Sequence, residues 1–303
     1  MSSHSYIKND RNKDIYININ GKLFHRKEAK ISVFDSGFLL GDGVWEGIRL
    51  HHSKLIFIEE HLNRLMNSAK GISLKIPLSK EEIIFEVEKV LSKNKMSDDV
   101  HIRLIISRGD KITPYQNPKA NLGPINLVII PEYKKTDPII YENGIIIGRV
   151  PIIRPSEDIL STHYNTLSKL NCILASIEAN KLGFDEGIMN DPHGYVSTCN
   201  STNLFFIKNN QVLTSDGKYC LNGITRGKAI EICKSNNIPC IEKNFTFTDI
   251  EDCNEAFVTG TFAGIIPVSK IENKDLQSTN QDSLVNKIRL LYDKAIQENI
   301  NKS

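Results

Sequence analysis

A charged segment bounded by prolines divides this sequence into two parts. Residues 131–138 read PEYKKTDP, and they lack the apolar periodicity that a helix or a buried strand requires. A proline at each end and a run of charged residues are typical of a surface connection. We therefore predict two domains, at residues 1–130 and 139–303, joined by a linker at 131–138.

Both parts alternate amphipathic helices with short β-branched runs, which predicts an α+β fold. The Asn20-Gly21 pair favours a tight turn between the first two strands, because both residues tolerate a positive φ. The elements predicted in the first part are strands at 15–19, 22–25, 100–107 and 125–130, and helices at 57–71 and 81–93. Those predicted in the second part are strands at 145–150, 186–190, 204–208, 211–214 and 256–259, and helices at 168–182, 225–235 and 281–299.

Charge and cysteine content narrow the range of functions. A formal net charge of +2 gives no electrostatic reason to expect binding to nucleic acid or to a membrane. The six cysteines form no C-x-x-C pair and have no neighbouring histidine at metal-ligand spacing, so we expect free thiols in a reducing cytoplasm and no metal site. The polar first residues do not resemble a secretory signal, and no apolar run approaches the ~20 residues that span a bilayer. The adjacent His51 and His52 are expected only to form an exposed turn.

Three glycine-containing segments are more specific than the rest of the chain. The first is GDGVWEGIR at 41–49, followed by HLNRL at 61–65. The second, LNGITR at 221–226, is a glycine turn before a helix start, where backbone N–H groups and the helix dipole favour phosphate. The third, TGTFAGIIPV at 259–268, has small residues that let backbone amides and a threonine hydroxyl approach a ligand. Each pattern alone is commonest as an ordinary turn or a surface ion pair, but their order and spacing together indicate a ligand site.

Together these segments resemble the class IV aminotransferase family, which includes branched-chain aminotransferases, D-amino acid aminotransferases and aminodeoxychorismate lyases. The resemblance covers roughly residues 15–270 and includes FDSGFLLGDGVWEGIRL, HLNRL, SKLNCILASIEANKLGFDEGIMND, HGYVSTCNSTNLFFI, LNGITRG and EAFVTGTFAGIIPV. It implies the fold type IV architecture, with a small α/β N-terminal domain and a larger pseudo-barrel C-terminal domain. It also implies a homodimer that binds pyridoxal 5′-phosphate (PLP) between the domains.

The resemblance assigns four residues to the PLP phosphate. Arg64 matches the family's phosphate-binding arginine, Ile224 and Thr225 match its helix-start amides, and Thr261 matches its phosphate-contacting threonine. An arginine fork, a helix N-terminus and a hydroxyl are a suitable set of donors for a dianion. These four residues are therefore the predicted phosphate site.

The resemblance also assigns residues to the substrate. Arg103 lies in His101-Ile102-Arg103, where branched-chain enzymes have Tyr-Ile-Arg, so Arg103 is expected to pair with the side-chain carboxylate of glutamate or 2-oxoglutarate. The backbone of Thr261 and Phe262 is expected to bind the substrate α-carboxylate.

Two positions that face the cofactor ring depart from the family pattern. Asn165 lies where the Schiff-base lysine belongs, and it has no basic amine. Thr198 lies where a glutamate pairs with the pyridine nitrogen, and a threonine can hydrogen-bond that nitrogen but cannot hold it protonated. Lys169 lies where branched-chain enzymes have a tyrosine that touches the cofactor's phenolic oxygen. It is the candidate for a relocated Schiff-base lysine and general base, and the alternative is an exposed lysine in the first turn of a helix.

The sequence thus predicts a PLP-dependent aminotransferase that acts on a small, branched-chain-like or D-amino acid with a 2-oxo acid acceptor. The first alternative is a PLP lyase similar to aminodeoxychorismate lyase. The second is a non-catalytic homologue that binds a phosphorylated ligand, since both ring-facing positions have changed.

Overall fold

The computed structural model describes residues 3–302, which form two compact units. The N-terminal unit contains residues 7–135 and 164–169, and the C-terminal unit contains residues 3–6, 136–163 and 170–302. The strands are β1 (Tyr6–Ile7), β2 (Tyr16–Ile19), β3 (Lys22–His25), β4 (Gly43–His51), β5 (Lys54–Leu55), β6 (Val100–Ser107), β7 (Asn126–Tyr133), β8 (Lys135–Thr136), β9 (Ile145–Arg149), β10 (Glu186–Asn190), β11 (Val196–Cys199), β12 (Asn203–Lys208), β13 (Gln211–Thr214), β14 (Cys240–Glu242), β15 (Glu255–Gly260), β16 (Gly264–Ile271) and β17 (Lys274–Asp275). The α-helices are α1 (Ser36–Leu40), α2 (Ile58–Gly71), α3 (Lys80–Lys93), α4 (Ile139–Asn143), α5 (Leu170–Lys181), α6 (Ile224–Ser235) and α7 (Leu284–Lys302), and short 3-10 helices cover Asp10–Asp14, Pro118–Ala120 and Thr248–Ile250.

The N-terminal unit is an antiparallel sheet covered by two helices. Its strands follow the order β3-β2-β7-β6-β4-β5. Helix α2 packs on β4, while α3 packs on β2 and β7. Helix α3 begins with a capping box, in which Ser79 and Glu82 bond each other's backbone N–H groups. Apolar side chains that alternate along the strands, such as Ile102, Leu104 and Ile106 of β6, form the core beneath the helices.

The C-terminal unit contains a mixed, curled sheet of nine strands. The strands follow the order β11-β10-β9-β16-β15-β12-β13-β14, and β17 pairs with β16. Strand β9 is parallel to both of its neighbours, β10 and β16. Helix α5 packs on β10 and β9, and α7 packs on β16 and β15. The fold class is therefore α+β in two units, as the sequence predicted.

The structure differs from the predicted boundary between the parts in two places. Residues 131–133, predicted as linker, continue β7 and pair with β6 as far as Tyr133. Strand β2 pairs with β7 only at Val128 and Ile129, so Pro131 lies beyond the last residue of β7 that pairs with β2, and the absence of its N–H group breaks no pairing between these two strands. The chain changes unit between Lys135 and Thr136, and residues 164–169 return to the N-terminal unit.

Two central strands were not predicted. Strand β4 carries two charged residues and two glycines, and β16 begins with a glycine and contains a proline, so neither has the uninterrupted apolar character of a buried strand. No helix within residues 3–302 combines the length and the apolar character needed to cross a membrane.

Candidate functional site

Arg64 of the N-terminal unit is held by a buried carboxylate on β4. Its Nε donates to Oε1 of Glu46 at 2.8 Å and its Nη2 to Oε2 at 2.7 Å. Nδ1 of His61, one turn earlier on α2, lies 2.7 Å from the same Oε2. Glu46 is fully buried and the Arg64 side chain is 14% exposed. A two-bond contact of this kind fixes the direction of a guanidinium group.

The charge of Glu46 is stabilised by these two partners. Burial would raise the pKa of Glu46, but the positive charge and hydrogen bonds of Arg64, together with those of His61, hold that pKa below its ordinary value of 4.5. Glu46 is therefore an ionised carboxylate at neutral pH. Arg64 was predicted from the sequence and Glu46 was not, although both lie in the quoted motifs.

Two of the predicted cationic residues lie over the ring of Trp45, the neighbour of Glu46 on β4. The guanidinium carbon of Arg103 lies 3.8 Å from the centre of the indole ring, and Nζ of Lys169 lies 5.6 Å from it. Arg103 reaches the ring because its cross-strand partner is Gly47, which has no side chain to intervene. Burial lowers the pKa of Arg103, while the carboxylates of Glu132 and Glu46 oppose that shift.

Asn165 is bound to the backbone of the same tryptophan. Its Nδ2 donates to the carbonyl oxygen of Trp45 at 2.7 Å, and its own carbonyl oxygen accepts from the N–H of Trp45 at 3.0 Å. Its N–H donates to Oγ of Ser68 at 3.0 Å. The residue is 1% exposed, and its Oδ1 has no hydrogen-bond partner among residues 3–302. Asn165 and Lys169 thus contact one residue, the first through its backbone and the second through its ring.

The start of α6 in the C-terminal unit has no side-chain cap. Gly223 precedes Ile224, the first helical residue, and as a glycine it has no side chain to cap the first N–H groups. Thr225 is 3% exposed. Uncapped N–H groups at the positive end of a helix dipole are donors for an anion.

Asn203 at the start of β12 supports the loop before α6. Its Nδ2 donates to the carbonyl oxygen of Leu221 at 2.9 Å, and a Cβ atom on Gly223 would lie only 2.4 Å from its Oδ1. Asn203 also pairs with Thr259 near the end of β15. Asn203 was not predicted as a site residue. The sequence indicates only that an asparagine directly precedes the predicted strand at 204–208.

The other predicted residues of the C-terminal unit lie around the same strand start. Thr198 is buried, and its hydroxyl donates to the carbonyl oxygen of Thr202 at 2.7 Å. Thr261 and Phe262 lie in the turn between β15 and β16. This turn begins two residues after Thr259. Oγ1 of Thr259 is buried and has no hydrogen-bond partner in the part of the chain that the structure describes. The structure therefore brings Thr198, the start of α6 and the Thr261 turn to the beginning of β12.

A sequence model described as "Amino-transferase class IV" matches residues 43–271, which is more than half of the chain. The protein belongs to the class IV aminotransferase family. A putative branched-chain-amino-acid aminotransferase of Methanocaldococcus jannaschii is 36% identical over 275 residues, covering 90% of this chain and 93% of that protein. A D-alanine aminotransferase of Listeria monocytogenes serotype 4b is 29% identical over 284 residues, covering 90% of this chain and 93% of that protein.

Other relatives of this family member are longer proteins. The branched-chain-amino-acid aminotransferase-like protein 2 of Arabidopsis thaliana is 35% identical over 280 residues, which are 91% of this chain. The chain spans 49% of that relative's length. It spans 46% of the length of the branched-chain-amino-acid aminotransferase-like protein 1 from the same plant.

Solved structures of the family share the fold. The branched-chain aminotransferase of Thermoproteus uzoniensis with norvaline superposes with a TM-score of 0.85 at 26% identity, covering 95% of this chain and 97% of that one. A second branched-chain amino acid aminotransferase, complexed with N-(5′-phosphopyridoxyl)-L-glutamate, also has a TM-score of 0.85 at 26% identity, with 95% of each chain covered. Asn165 and Thr198, the two predicted departures from the family pattern, lie within the residues that the family model matches.

Proposed function

We propose that this protein is a PLP-dependent aminotransferase in which Lys169 is the amine of the active site. The observation that supports this most is the shared contact with Trp45. Asn165 is bound to the tryptophan backbone and Nζ of Lys169 lies 5.6 Å from the centre of its ring, so both residues contact Trp45, and Lys169 brings a primary amine to it. The substrate is a small, branched-chain-like or D-amino acid, with a 2-oxo acid as acceptor. The solved relative with norvaline supports a small aliphatic amino acid, and the one complexed with N-(5′-phosphopyridoxyl)-L-glutamate supports glutamate and its 2-oxo acid as the second pair.

The residues present fit the phosphate part of PLP. Arg64 is a preoriented guanidinium, and the N–H groups of Ile224 and Thr225 lie at an uncapped helix start. Thr261 adds a hydroxyl on a tight turn, two residues after Thr259, whose buried Oγ1 has no hydrogen-bond partner within residues 3–302. Charge-assisted bonds from such donors are the strong ones for a dianion.

The fit to the pyridine nitrogen is different from that of the family. The hydroxyl of Thr198 already donates its proton to the carbonyl oxygen of Thr202, so towards a ligand it can act only as an acceptor. A neutral acceptor stabilises a protonated ring less than a carboxylate does. We therefore expect slower turnover than a glutamate at this position would give.

Residues of the chain carry out the proton transfer and bind the substrate carboxylates. When bound, PLP supplies electron withdrawal that makes the substrate's α-proton acidic. Nζ of Lys169 would take that proton from the α-carbon and deliver it to the cofactor's aldehyde-derived carbon, and it would move a proton in the opposite direction during the second half of the reaction, as a general base and acid. Arg103, stacked on Trp45, binds the second carboxylate of a dicarboxylic acceptor. The backbone at Thr261 and Phe262 binds the α-carboxylate. By the family resemblance we also propose a homodimer in the cytoplasm.

The test is an absorbance spectrum with added PLP, followed by borohydride reduction and peptide mapping. We expect a near-visible band and a reduced adduct on Lys169, and we expect both to disappear in Lys169→Ala. The control is Lys181→Ala, because Lys181 lies at the other end of α5 in an exposed pair with Glu178. An adduct on a different lysine, or an unchanged adduct in Lys169→Ala, would refute the assignment.

A companion variant tests the position of Asn165. Asn165→Lys in the Lys169→Ala background should restore an adduct, now at residue 165, if the ring of PLP lies beside Trp45. The outcome depends on geometry alone and needs no turnover.

A second candidate is a non-catalytic homologue that binds a phosphorylated ligand. The double hydrogen bond between Asn165 and the Trp45 backbone favours it, because the residue has a structural role in place of a chemical one. So does the Thr198–Thr202 bond. Overnight incubation with amino donors and either 2-oxoglutarate or pyruvate separates the two candidates, since the binder forms no new amino acid.

A further inference from the structure

The turn between β4 and β5 places two histidines against one carboxylate. Nδ1 of His51 lies 2.7 Å from Oδ1 of Asp98, and Nδ1 of His52 lies 3.5 Å from Oδ2 of the same residue. The two imidazole rings are 4.3 Å apart. One ligand atom from each of the three residues lies within 4.8 Å of the others. Their side chains are 27%, 58% and 38% exposed, so an ion could reach them from solvent.

The backbone holds the two segments that carry these residues together. His52 and Ser53 have φ values of 46° and 61°, which puts two successive non-glycine residues in the left-handed region. The N–H of His52 donates to Oδ1 of Asp98 at 3.2 Å, and the N–H of Ser53 donates to the carbonyl oxygen of Ser97 at 2.6 Å. The N–H of Asp99 also donates to Oδ1 of Asp98, at 2.8 Å. The three side chains are therefore anchored to a fixed frame before any ion binds.

We propose that His51, His52 and Asp98 bind a divalent transition-metal ion, with zinc as the best match and water completing its coordination. Zinc bonds imidazole nitrogen and carboxylate oxygen at about 2.0–2.2 Å, which places the ligand atoms of a tetrahedral site about 3.4 Å apart. The 3.5 Å contact between Nδ1 of His52 and Oδ2 of Asp98 already has this spacing, and one ligand atom from each of the three residues lies within 4.8 Å of the others.

The donor set suits this ion in charge and in kind. Asp98 supplies a carboxylate oxygen, and the N–H groups of Asp99 and His52 both donate to its Oδ1. Oδ1 accepts the backbone bonds, which leaves Oδ2 as the atom directed at His52. Two imidazoles and one carboxylate favour zinc, cobalt, nickel or copper over magnesium or calcium. Hydrogen bonds to a ligating carboxylate also orient it in established metal sites.

The experiment titrates the tag-free, full-length protein with Zn²⁺ by calorimetry and with Co²⁺ by visible absorbance. We expect one ion bound per chain at this site. His52→Ala and Asp98→Asn should each weaken binding at least about tenfold, since loss of a ligand costs no less than loss of a residue that orients one. His52→Ala is the safer variant for folding, because the side chain is 58% exposed.

Two control variants exclude other ligands. His25→Ala removes a histidine that faces a single carboxylate, with Nε2 3.6 Å from Asp14, and should leave binding unchanged. Cys240→Ser removes a partly exposed thiol that could bind zinc by itself, and should also leave this binding unchanged. Binding that persists in both His52→Ala and Asp98→Asn, or that is lost in Cys240→Ser, would overturn the proposal, as would the absence of any binding. The proposal is independent of the aminotransferase activity proposed above.

Discussion

At the scale of single residues, Glu46 has the greatest influence on the predicted cationic residues. It bonds Arg64 twice, contacts His61, and its charge acts on the pKa of Arg103. A buried carboxylate without such partners would be strongly unfavourable, because burial opposes its charge. The cations and the carboxylate therefore stabilise each other.

Glu46→Gln is expected to destabilise the protein by about 3 kcal/mol at pH 7, because it leaves Arg64 without its buried counter-charge. The folded-state pKa of Glu46 lies below 4.5, so its contribution is present above that value and is lost as the pH falls through the folded-state pKa. The difference between wild type and variant, measured by urea unfolding, should therefore shrink in acid.

The matched control for this prediction is Glu59→Gln. Glu59 is 62% exposed and pairs with Lys80 at the surface, so its replacement should change the free energy of unfolding by less than about 0.5 kcal/mol. Equal stabilities of Glu46→Gln and wild type at pH 7 would contradict the role given to Glu46.

The sequence could indicate the residue types of the site but not their partners. Arg64, Arg103, Thr225 and Thr261 were assigned by resemblance, and those roles remain predictions. The contact of Asn165 with Trp45 spans 120 residues of sequence, and no periodicity reports a contact of that length. Likewise, a charged residue such as Glu46 inside a sheet core reads as a surface residue until its partners are known.

At the scale of elements, the start of α6 depends on two glycines with different surroundings. A Cβ atom on Gly223 would lie 2.4 Å from Oδ1 of Asn203, whereas one on Gly227 would meet no atom within 4 Å. The first glycine therefore allows a close approach of loop and strand, and the second is only a weak point in a helix.

We expect Gly223→Ala to destabilise the protein by about 1–3 kcal/mol and to weaken PLP binding, because Asn203 must move away from the loop before α6. Gly227→Ala should instead stabilise the protein by about 0.5–1 kcal/mol. Thermal unfolding and a PLP titration of both variants check this. If the two substitutions had the same effect, the contact between Gly223 and Asn203 would not matter.

Elements with strong helical periodicity were predicted well, and those that depend on tertiary pairing were not. Helix α2 was predicted at 57–71 and runs from Ile58 to Gly71, and α6 was predicted at 225–235 and runs from Ile224 to Ser235. Strand β4 was missed because Glu46 looks incompatible with a buried strand until its pairing with Arg64 of α2 is known. The linker prediction was wrong at 131–133 because pairing with β6 outweighs the composition of that segment.

At the scale of the whole molecule, the chain crosses between the units more often than a simple two-domain order requires. Residues 164–169 belong to the N-terminal unit although they follow residues of the C-terminal unit. Thr166 forms a β-bridge with Val44, and the N–H of Leu167 donates to the carbonyl oxygen of Gly43 at 2.9 Å. Asn165 and Lys169 thus contact β4 although residues 136–163 of the C-terminal unit lie between them and β4 in the sequence.

Hydrogen exchange of the full-length protein can test whether residues 164–169 open together with the N-terminal unit. Ile48→Val removes a methylene from a fully buried position in the N-terminal unit and should cost about 1 kcal/mol, which makes exchange through opening of that unit about fivefold faster. We expect the peptide that covers residues 164–169 to show this increase. Ile266→Val, a matched change in the C-terminal unit, should affect that peptide less, and the reverse pattern would contradict the assignment.

The hydrogen-bonded asparagine at position 165 also has a genetic consequence. Asparagine and lysine codons differ only in their third base, so a point mutation can return an amine to this position in one step. Threonine and glutamate codons differ at more than one base, so Thr198 cannot be reversed as easily. A selection for faster amino transfer would therefore be expected to recover lysine at 165 first, and an evolving population could show directly whether the bonds of Asn165 to Trp45 resist that change.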